Sequence, residues 1–133
     1  MSTNSYIGIL NENGTVSYIY CHWDGHPSSN GRILLNSYNT PEAARALISL
    51  GDLSSLGETL GEKQSFQNPV PGTCVVYGRD RGETHVSTKT TYLHDPDFTQ
   101  GQPFVYLFRN GVWEYKRGRA IAFGPLTEND CKD

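Results

Sequence analysis

Two Asn-Gly dipeptides, Asn13-Gly14 and Asn110-Gly111, each stand between two runs of β-branched and aromatic residues. Asn-Gly readily adopts the positive φ angles of a tight hairpin turn, so each arrangement predicts a β-hairpin. The first hairpin would join residues 6–10 to residues 15–23, and the second would join "FVYLFR" to "VWEYKR". The two hairpins favour a fold built around an antiparallel sheet.

The turns also predict which residues lie opposite each other. A two-residue turn at Asn13-Gly14 would place Ile9 opposite Tyr18 and Ile7 opposite Tyr20. The other face of this hairpin would then carry Leu10, Ile19, Cys21 and Trp23. Both faces are largely apolar, which indicates that the hairpin is covered on both sides for part of its length.

In the second hairpin, the turn sets Phe108 opposite Trp113 and Tyr106 opposite Tyr115, with Phe104 on the same face. We interpret this aromatic row as core packing and not as a platform for a ligand.

The region between the hairpins predicts two helices. The first covers about residues 29–37 and turns Ile33, Leu34 and Tyr38 toward the core. The second begins with Thr40 as N-cap and Pro41 in the first helical position, and it ends at Gly51. Its apolar positions at helical spacing are Ala43, Ala46, Leu47 and Leu50.

A β-branched and aromatic stretch, residues 73–93, predicts two further strands around "RDRGE". The element order indicates an α+β fold, with an antiparallel sheet of about five to six strands and two short helices on one face. We predict one domain over residues 1–126, followed by a polar tail at 127–133 that frays.

Composition limits the function classes. The chain has 133 residues and a formal net charge of −3, which argues against a partner of duplex nucleic acid. Its apolar runs are too short to span a membrane, and its first residues lack the basic segment of a signal peptide. Three widely spaced cysteines suit reduced thiols. We therefore expect a cytoplasmic protein that contacts no membrane.

The segment "CHWDGHP", residues 21–27, concentrates side chains that could bind or react. On a strand, Cys21 and Trp23 would point to one side and His22 and Asp24 to the other. A metal site of His22, Asp24 and His26 is one reading, although no paired ligand motif supports it elsewhere. The alternative, without a metal, is a strand that ends in an Asp24-Gly25 turn.

Two catalytic readings of this segment remain open. Cys21 would need a distant base (His26, His85 or His94), because strand alternation turns His22 away from it. His22 and Asp24 would share a face and form an acid–base pair. A buried cysteine is more commonly a small apolar side chain.

A second cluster is "YGRDRGETH", residues 77–85. If the backbone were extended, Arg79 and Arg81 would project from one face and form a fork for phosphate or carboxylate, with His85 and Lys89 as further donors. The alternative is a solvated turn with internal ion pairs. No phosphate-loop or dinucleotide glycine motif is present.

Together the clusters predict a site for a nucleotide-like anion. Aromatic and polar groups of the first cluster would stack on a base, and cations of the second would hold phosphates. The candidate ligand-binding residues are Tyr20, His22, Trp23, Asp24, His26, Arg79, Arg81, His85 and Lys89. No catalytic residue, metal or cofactor is assigned.

The stretches "IGILNENGTVSYIYCHWDGHP", "ISLGDLSSLGE", "YGRDRGE" and "FVYLFRNGVWEYKR" resemble a family of small proteins encoded mainly in bacteriophage and prophage genomes. The resemblance covers roughly residues 6–116 and carries no established catalytic residues. It implies an accessory protein made in the cytoplasm of an infected bacterial cell.

These expectations lead to a phage accessory protein that acts by binding, in counter-defence. It would sequester a nucleotide-like anion or block a host defence protein. The alternative is a small hydrolase or nucleotide-processing enzyme that uses His22 and Asp24, with or without a metal. A homodimer is the default assembly, and an edge strand near residues 86–92 would mediate it.

Overall fold

The computed structural model describes residues 2–132, so Met1 and Asp133, which belong to the predicted domain and tail, lie outside the described residues. Within these residues, eight strands form one sheet. They are β1 (Ser5–Leu10), β2 (Thr15–Cys21), β3 (Leu53–Ser55), β4 (Val75–Val76), β5 (Lys89–Tyr92), β6 (Phe104–Arg109), β7 (Val112–Arg117) and β8 (Gly124–Pro125).

The sheet runs in the order β4-β3-β2-β1-β6-β7-β8, and β5 pairs with the outer edge of β2. The α+β class is confirmed, but the prediction of an antiparallel sheet with five to six strands is wrong in detail. Strand β1 is parallel to β6, and β2 is parallel to β3. These two parallel pairings join distant parts of the chain, so no local turn motif predicts them.

The helices of the described residues are short. They are α1 (Arg32–Ser37), α2 (Pro41–Ile48), α3 (Tyr77–Arg81) and α4 (Pro96–Thr99), and a π-helical turn (Pro27–Gly31) leads into α1. The Thr40 side chain accepts a hydrogen bond from the Ala43 amide, as expected of an N-cap. The buried face of α2 differs from the prediction, because Ala44 and Ile48 are buried with Leu47, while Ala46 is exposed.

The first hairpin closes one residue away from its predicted register. The backbone amide of Asn11 donates to the carbonyl of Thr15, and within the turn only Gly14 has a positive φ. This is a three-residue loop, which pairs Ile7 with Ile19 and Ile9 with Ser17. Because side chains alternate, the one-residue difference changes which residues share a face.

The second hairpin confirms its prediction. Asn110 and Gly111 have φ angles of 55° and 79°, as the two-residue turn requires. Phe108 faces Trp113 and Tyr106 faces Tyr115, and the row that they form with Phe104 packs into the main core.

The segment "YGRDR" is helix α3 and not part of a strand. Asp80 explains this, because its carboxylate accepts hydrogen bonds from the Val76 and Gln64 amides and holds the first turn closed. The expectation that an extended backbone aims Arg79 and Arg81 at one face is therefore wrong.

The predicted frayed tail is also wrong for residues 127–132. Thr127 and Asp130 close a turn through side-chain and backbone hydrogen bonds, and Cys131 is buried in the main core. Arg32 donates to the Cys131 carbonyl, which fixes this segment against α1.

Among the described residues, no helix has the length and apolar character needed to cross a membrane.

Ser5, at the start of β1, provides a test of the core. Its hydroxyl is fully buried and finds no hydrogen-bond partner within residues 2–132. Ser5→Ala removes a desolvated, unpaired group, so we expect the free energy of unfolding to rise by about 1 kcal/mol. Urea unfolding measures the change, with Ser17→Ala as control, since Ser17 bonds Asn11 and Thr90. Equal destabilisation by both changes would contradict the expectation.

Candidate functional site

The two faces of the sheet are covered unequally. Helices α1 and α2 pack on one, which we call the helix face; its side chains include Ile7, Ile9, Ile19, Tyr106 and Trp113. The other, which we call the open face, carries Tyr6, Tyr18, Tyr20, Leu107 and Lys116. Phe98 of α4 packs over its centre, together with Leu93 and Phe123. Tyr18 and Leu107 are buried beneath this cover, whereas Tyr6 and Tyr20 of the open face remain partly exposed.

The "HWDG" turn is fixed by internal contacts. Gly25 donates its amide to Thr3 O, and its carbonyl accepts the buried Tyr106 hydroxyl at 2.7 Å. Asn30 donates to Trp23 O at 3.0 Å. These bonds anchor the end of β2 to β6, so part of this motif has a structural role.

Tyr20, His22 and Trp23 form a continuous group at the end of β2. The Tyr20 hydroxyl and His22 Nδ1 are 2.7 Å apart, and the Trp23 ring meets the imidazole edge-on at 4.8 Å. Trp23 is 43% exposed whereas Cys21 is buried, so the expectation that the two side chains point to one side is wrong. Strand β2 ends at Cys21, and the alternation of side chains ends with it.

The three polar side chains of the motif do not converge. His22 bonds Tyr20 and Asn4, whereas His26 bonds Thr3 and lies 5.2 Å from the Phe104 ring. Asp24 has a φ of 61°, which ends any strand-like alternation, and makes no side-chain bond to His22. In the part of the chain that is described, no three His, Cys, Asp or Glu side chains cluster as metal ligands would.

Arg79 is engaged inside the protein. Its guanidinium forks onto Asp80 and also donates to the carbonyls of Leu60, Gly61 and Cys74. The Asp80 side chain is fully buried in this arrangement. Burial alone would raise the pKa of Asp80, but the hydrogen bonds from Arg79 and from backbone amides outweigh it and hold the pKa below its usual value.

Arg81 points elsewhere. It lies over the Phe66 ring at 4.2 Å and pairs with Glu83 at 2.5 Å. His85 is exposed in the following loop with a φ of 64°. The two arginines therefore do not form the predicted fork.

Asp52 brings part of the two clusters together. It fills the gap on the edge of β2 between β3 and β5, where its carboxylate accepts from the Tyr20 amide at 2.9 Å and from Lys89 Nζ at 3.3 Å. Its carbonyl accepts the Tyr77 amide, at the start of α3. Burial, followed by the proximity of Tyr77, raises the pKa of the Tyr20 hydroxyl. The Tyr20 backbone and the Lys89 side chain are thus linked through the Asp52 carboxylate, although the arginines do not join them.

Cys21 is unsuited to nucleophilic attack. Burial raises the pKa of its thiol to about 12, despite hydrogen bonds with Asn30 and Trp23 that lower it. A reactive cysteine requires the thiolate. The geometry therefore argues against the cysteine-based reading.

A different group of cations lies on the open face, beside the end of α4. Lys116 is 4% exposed, and its ammonium donates to the carbonyls of Thr99 and Gly118. No carboxylate pairs with it among the described residues. Burial lowers the pKa of this ammonium. An ammonium has three donors, so one remains after the two carbonyls are satisfied.

Lys116 lines a pocket of about 300 Å³, which we call the Lys116 pocket. Arg109 reaches the same pocket while it pairs with Glu114 at 2.7 Å, and Phe123 forms an aromatic wall. His94 and Ile121 stand at the solvent side, where Ile121 is wholly exposed. The pocket therefore combines cations with an aromatic ring, as a nucleotide-like anion requires.

Sequence reasoning missed this group. The signal was present in "YKRGR", where Lys116, Arg117 and Arg119 follow the aromatic row of β7. Period-two alternation from the buried Trp113 places Lys116 on the opposite face.

Comparison with protein-family models, with curated proteins and with solved structures finds no match to this chain. The assignment of a function therefore rests on the geometry of these residues.

Proposed function

We propose that this protein binds a small nucleotide-like anion, without a catalytic role, and that the Lys116 pocket holds it. The observation that carries the proposal is the buried ammonium of Lys116, which has carbonyl partners but no carboxylate. A buried cation without a counter-charge is costly, and an anionic ligand would supply that charge.

The surroundings of Lys116 support an aromatic anion in particular. Arg109 adds a second cation, and its guanidinium lies 5.8 Å from the Phe123 ring. A base would stack on this ring while its phosphate meets the cations. A pocket of about 300 Å³ is at the small end of the range for small-molecule sites, which runs from roughly 300 to 1,000 Å³.

The resemblance to phage and prophage proteins suggests a use for such binding. A protein that removes a nucleotide signal from an infected cell would blunt the host response without any reaction. We propose counter-defence by sequestration as the biological role. A host protein as the target is the alternative that the binding test below addresses.

Titration calorimetry with adenosine 5′-monophosphate tests the proposal, with adenosine as the neutral control. We expect the phosphate to strengthen binding at least tenfold, equivalent to about 1.4 kcal/mol. Lys116→Met keeps an apolar stem but removes the ammonium, and it should abolish this difference. Lys63→Ala, at an exposed position, is the matched control and should bind as the wild type does.

Because Lys116→Met also leaves two carbonyls without their donor, a second variant separates folding from binding. The double change Arg109→Gln and Glu114→Gln removes the ion pair as a unit and should weaken binding about tenfold. Equal affinity for the nucleotide in all variants, or no binding of it by the wild type, would overturn the proposal. Capture of a host protein under those conditions would favour the alternative.

A further inference from the structure

A second concavity adjoins the Lys116 pocket. It has a volume of about 550 Å³ and is lined by Gln100, Gly101, Pro103, Arg117, Gly118 and Arg119; we call it the Arg119 pocket. Gln100 lines both pockets. The Lys116 ammonium, which lines the first pocket, donates to the carbonyl of Gly118, which lines the second. Gln100 and this contact connect the two pockets.

The Arg119 pocket has unpaired cations of its own. Neither Arg117 nor Arg119 forms an ion pair within residues 2–132. The Arg117 side chain is exposed, and its guanidinium lies 5.1 Å from the Phe104 ring. With Lys116, three cations within four residues lack a carboxylate partner.

Two glycines that line the Arg119 pocket pack tightly against neighbouring backbone. A Cβ at Gly118 would lie 2.3 Å from Gln102 O, and one at Gly101 would lie 2.2 Å from Asp97 O. Backbone this close leaves no room for a side chain at either position, so both positions require glycine. The chain that lines the Arg119 pocket is therefore fixed closely against neighbouring backbone.

We infer that the ligand is a dinucleotide, with one nucleotide unit in each pocket and the Lys116 ammonium between them. This inference rests on the proposed function, because it extends the same anion site. The two volumes, about 300 and 550 Å³, each suit one small-molecule unit. Linking two units makes the second contact intramolecular, which raises affinity without new contact types.

Calorimetry with 5′-phosphorylated diadenosine, compared with adenosine 5′-monophosphate, tests this inference. We expect the dinucleotide to bind at least tenfold more tightly. Arg119→Ala should remove this advantage and leave the affinity for the mononucleotide unchanged, since Arg119 is exposed and lines only the second pocket. Lys63→Ala, which removes an exposed cation elsewhere, should retain the advantage.

The outcomes distinguish the two proposals. Equal affinity for both nucleotides would overturn the dinucleotide inference and leave the proposed function standing. Binding of neither would overturn the proposed function. A ten-nucleotide single-stranded RNA that binds more tightly than the dinucleotide would also overturn the inference, in favour of a nucleic-acid strand.

Discussion

Replacement of Asp80 by alanine is expected to lower the free energy of unfolding by about 3–5 kcal/mol. The fully buried carboxylate accepts two bonds from Arg79 and one each from the Val76 and Gln64 amides. Its removal leaves the largely buried guanidinium and two amides without their acceptor. Chemical denaturation of the wild type and the variant measures the loss.

Glu83→Ala is the matched control for Asp80→Ala. Glu83 also pairs with an arginine of α3, but both side chains are exposed, at 46% for Arg81 and 37% for Glu83. Exposed pairs contribute little, so a loss below about 1 kcal/mol is expected. Similar losses of stability in the two variants would show that the buried Arg79–Asp80 pair does not stabilise the fold as described above.

The pKa of Asp80 predicts how this stabilisation depends on pH. Its pKa is lower in the folded protein than in the unfolded chain, so the unfolded state binds the proton more readily. The contribution is fully present above about pH 4, near the unfolded value, and is lost as the pH falls through the folded pKa. The difference between the wild type and Asp80→Ala should therefore shrink in acid.

The second large effect is expected in the "HWDG" turn. Gly25→Ala should lower the free energy of unfolding by about 2–3 kcal/mol. A Cβ at this position would lie 2.9 Å from the carbonyl oxygens of both Thr3 and Asn4, which are backbone atoms and cannot turn aside. The required shift also disturbs the bond from the buried Tyr106 hydroxyl to Gly25 O.

Gly124→Ala provides the comparison, because no heavy atom lies within 4 Å of the Cβ that it would add. We expect a change within about 0.5 kcal/mol there. Thermal or urea unfolding of the two variants is sufficient. A Gly25→Ala protein as stable as the wild type would mean that the "HWDG" turn is free to adjust, and its glycine would then need a different explanation.

The two hairpins show how far local sequence determines the fold. At Asn110-Gly111 the dipeptide alone decided both turn type and register. At Asn13-Gly14 the same dipeptide formed a longer loop, because the Asn11 side chain bonds Thr15 and also accepts from Arg45 of helix α2 at 2.6 Å. That contact comes from a distant element, and no local pattern contains it.

The candidate site shows a similar limit. Polar and aromatic residues can be picked out of the sequence, but the sequence does not tell which of their donors the fold itself uses. Arg79 has every side-chain nitrogen engaged within the protein. Lys116, by contrast, directly follows the aromatic residues of the core row in β7. Only the alternation of side chains places it on the opposite face of the sheet.

The unequal covering of the two faces has a consequence for how such a protein can diversify. In β6 and β7, Phe108 and Trp113 stabilise the main core, while their neighbours Arg109 and Glu114 face the other way. Arg109 and Glu114 are partly exposed, so these two positions can change the chemistry presented to solvent without repacking the main core. Because the helices hold the strands from behind, a new surface would be rigid from the outset and would lose little conformational entropy on binding.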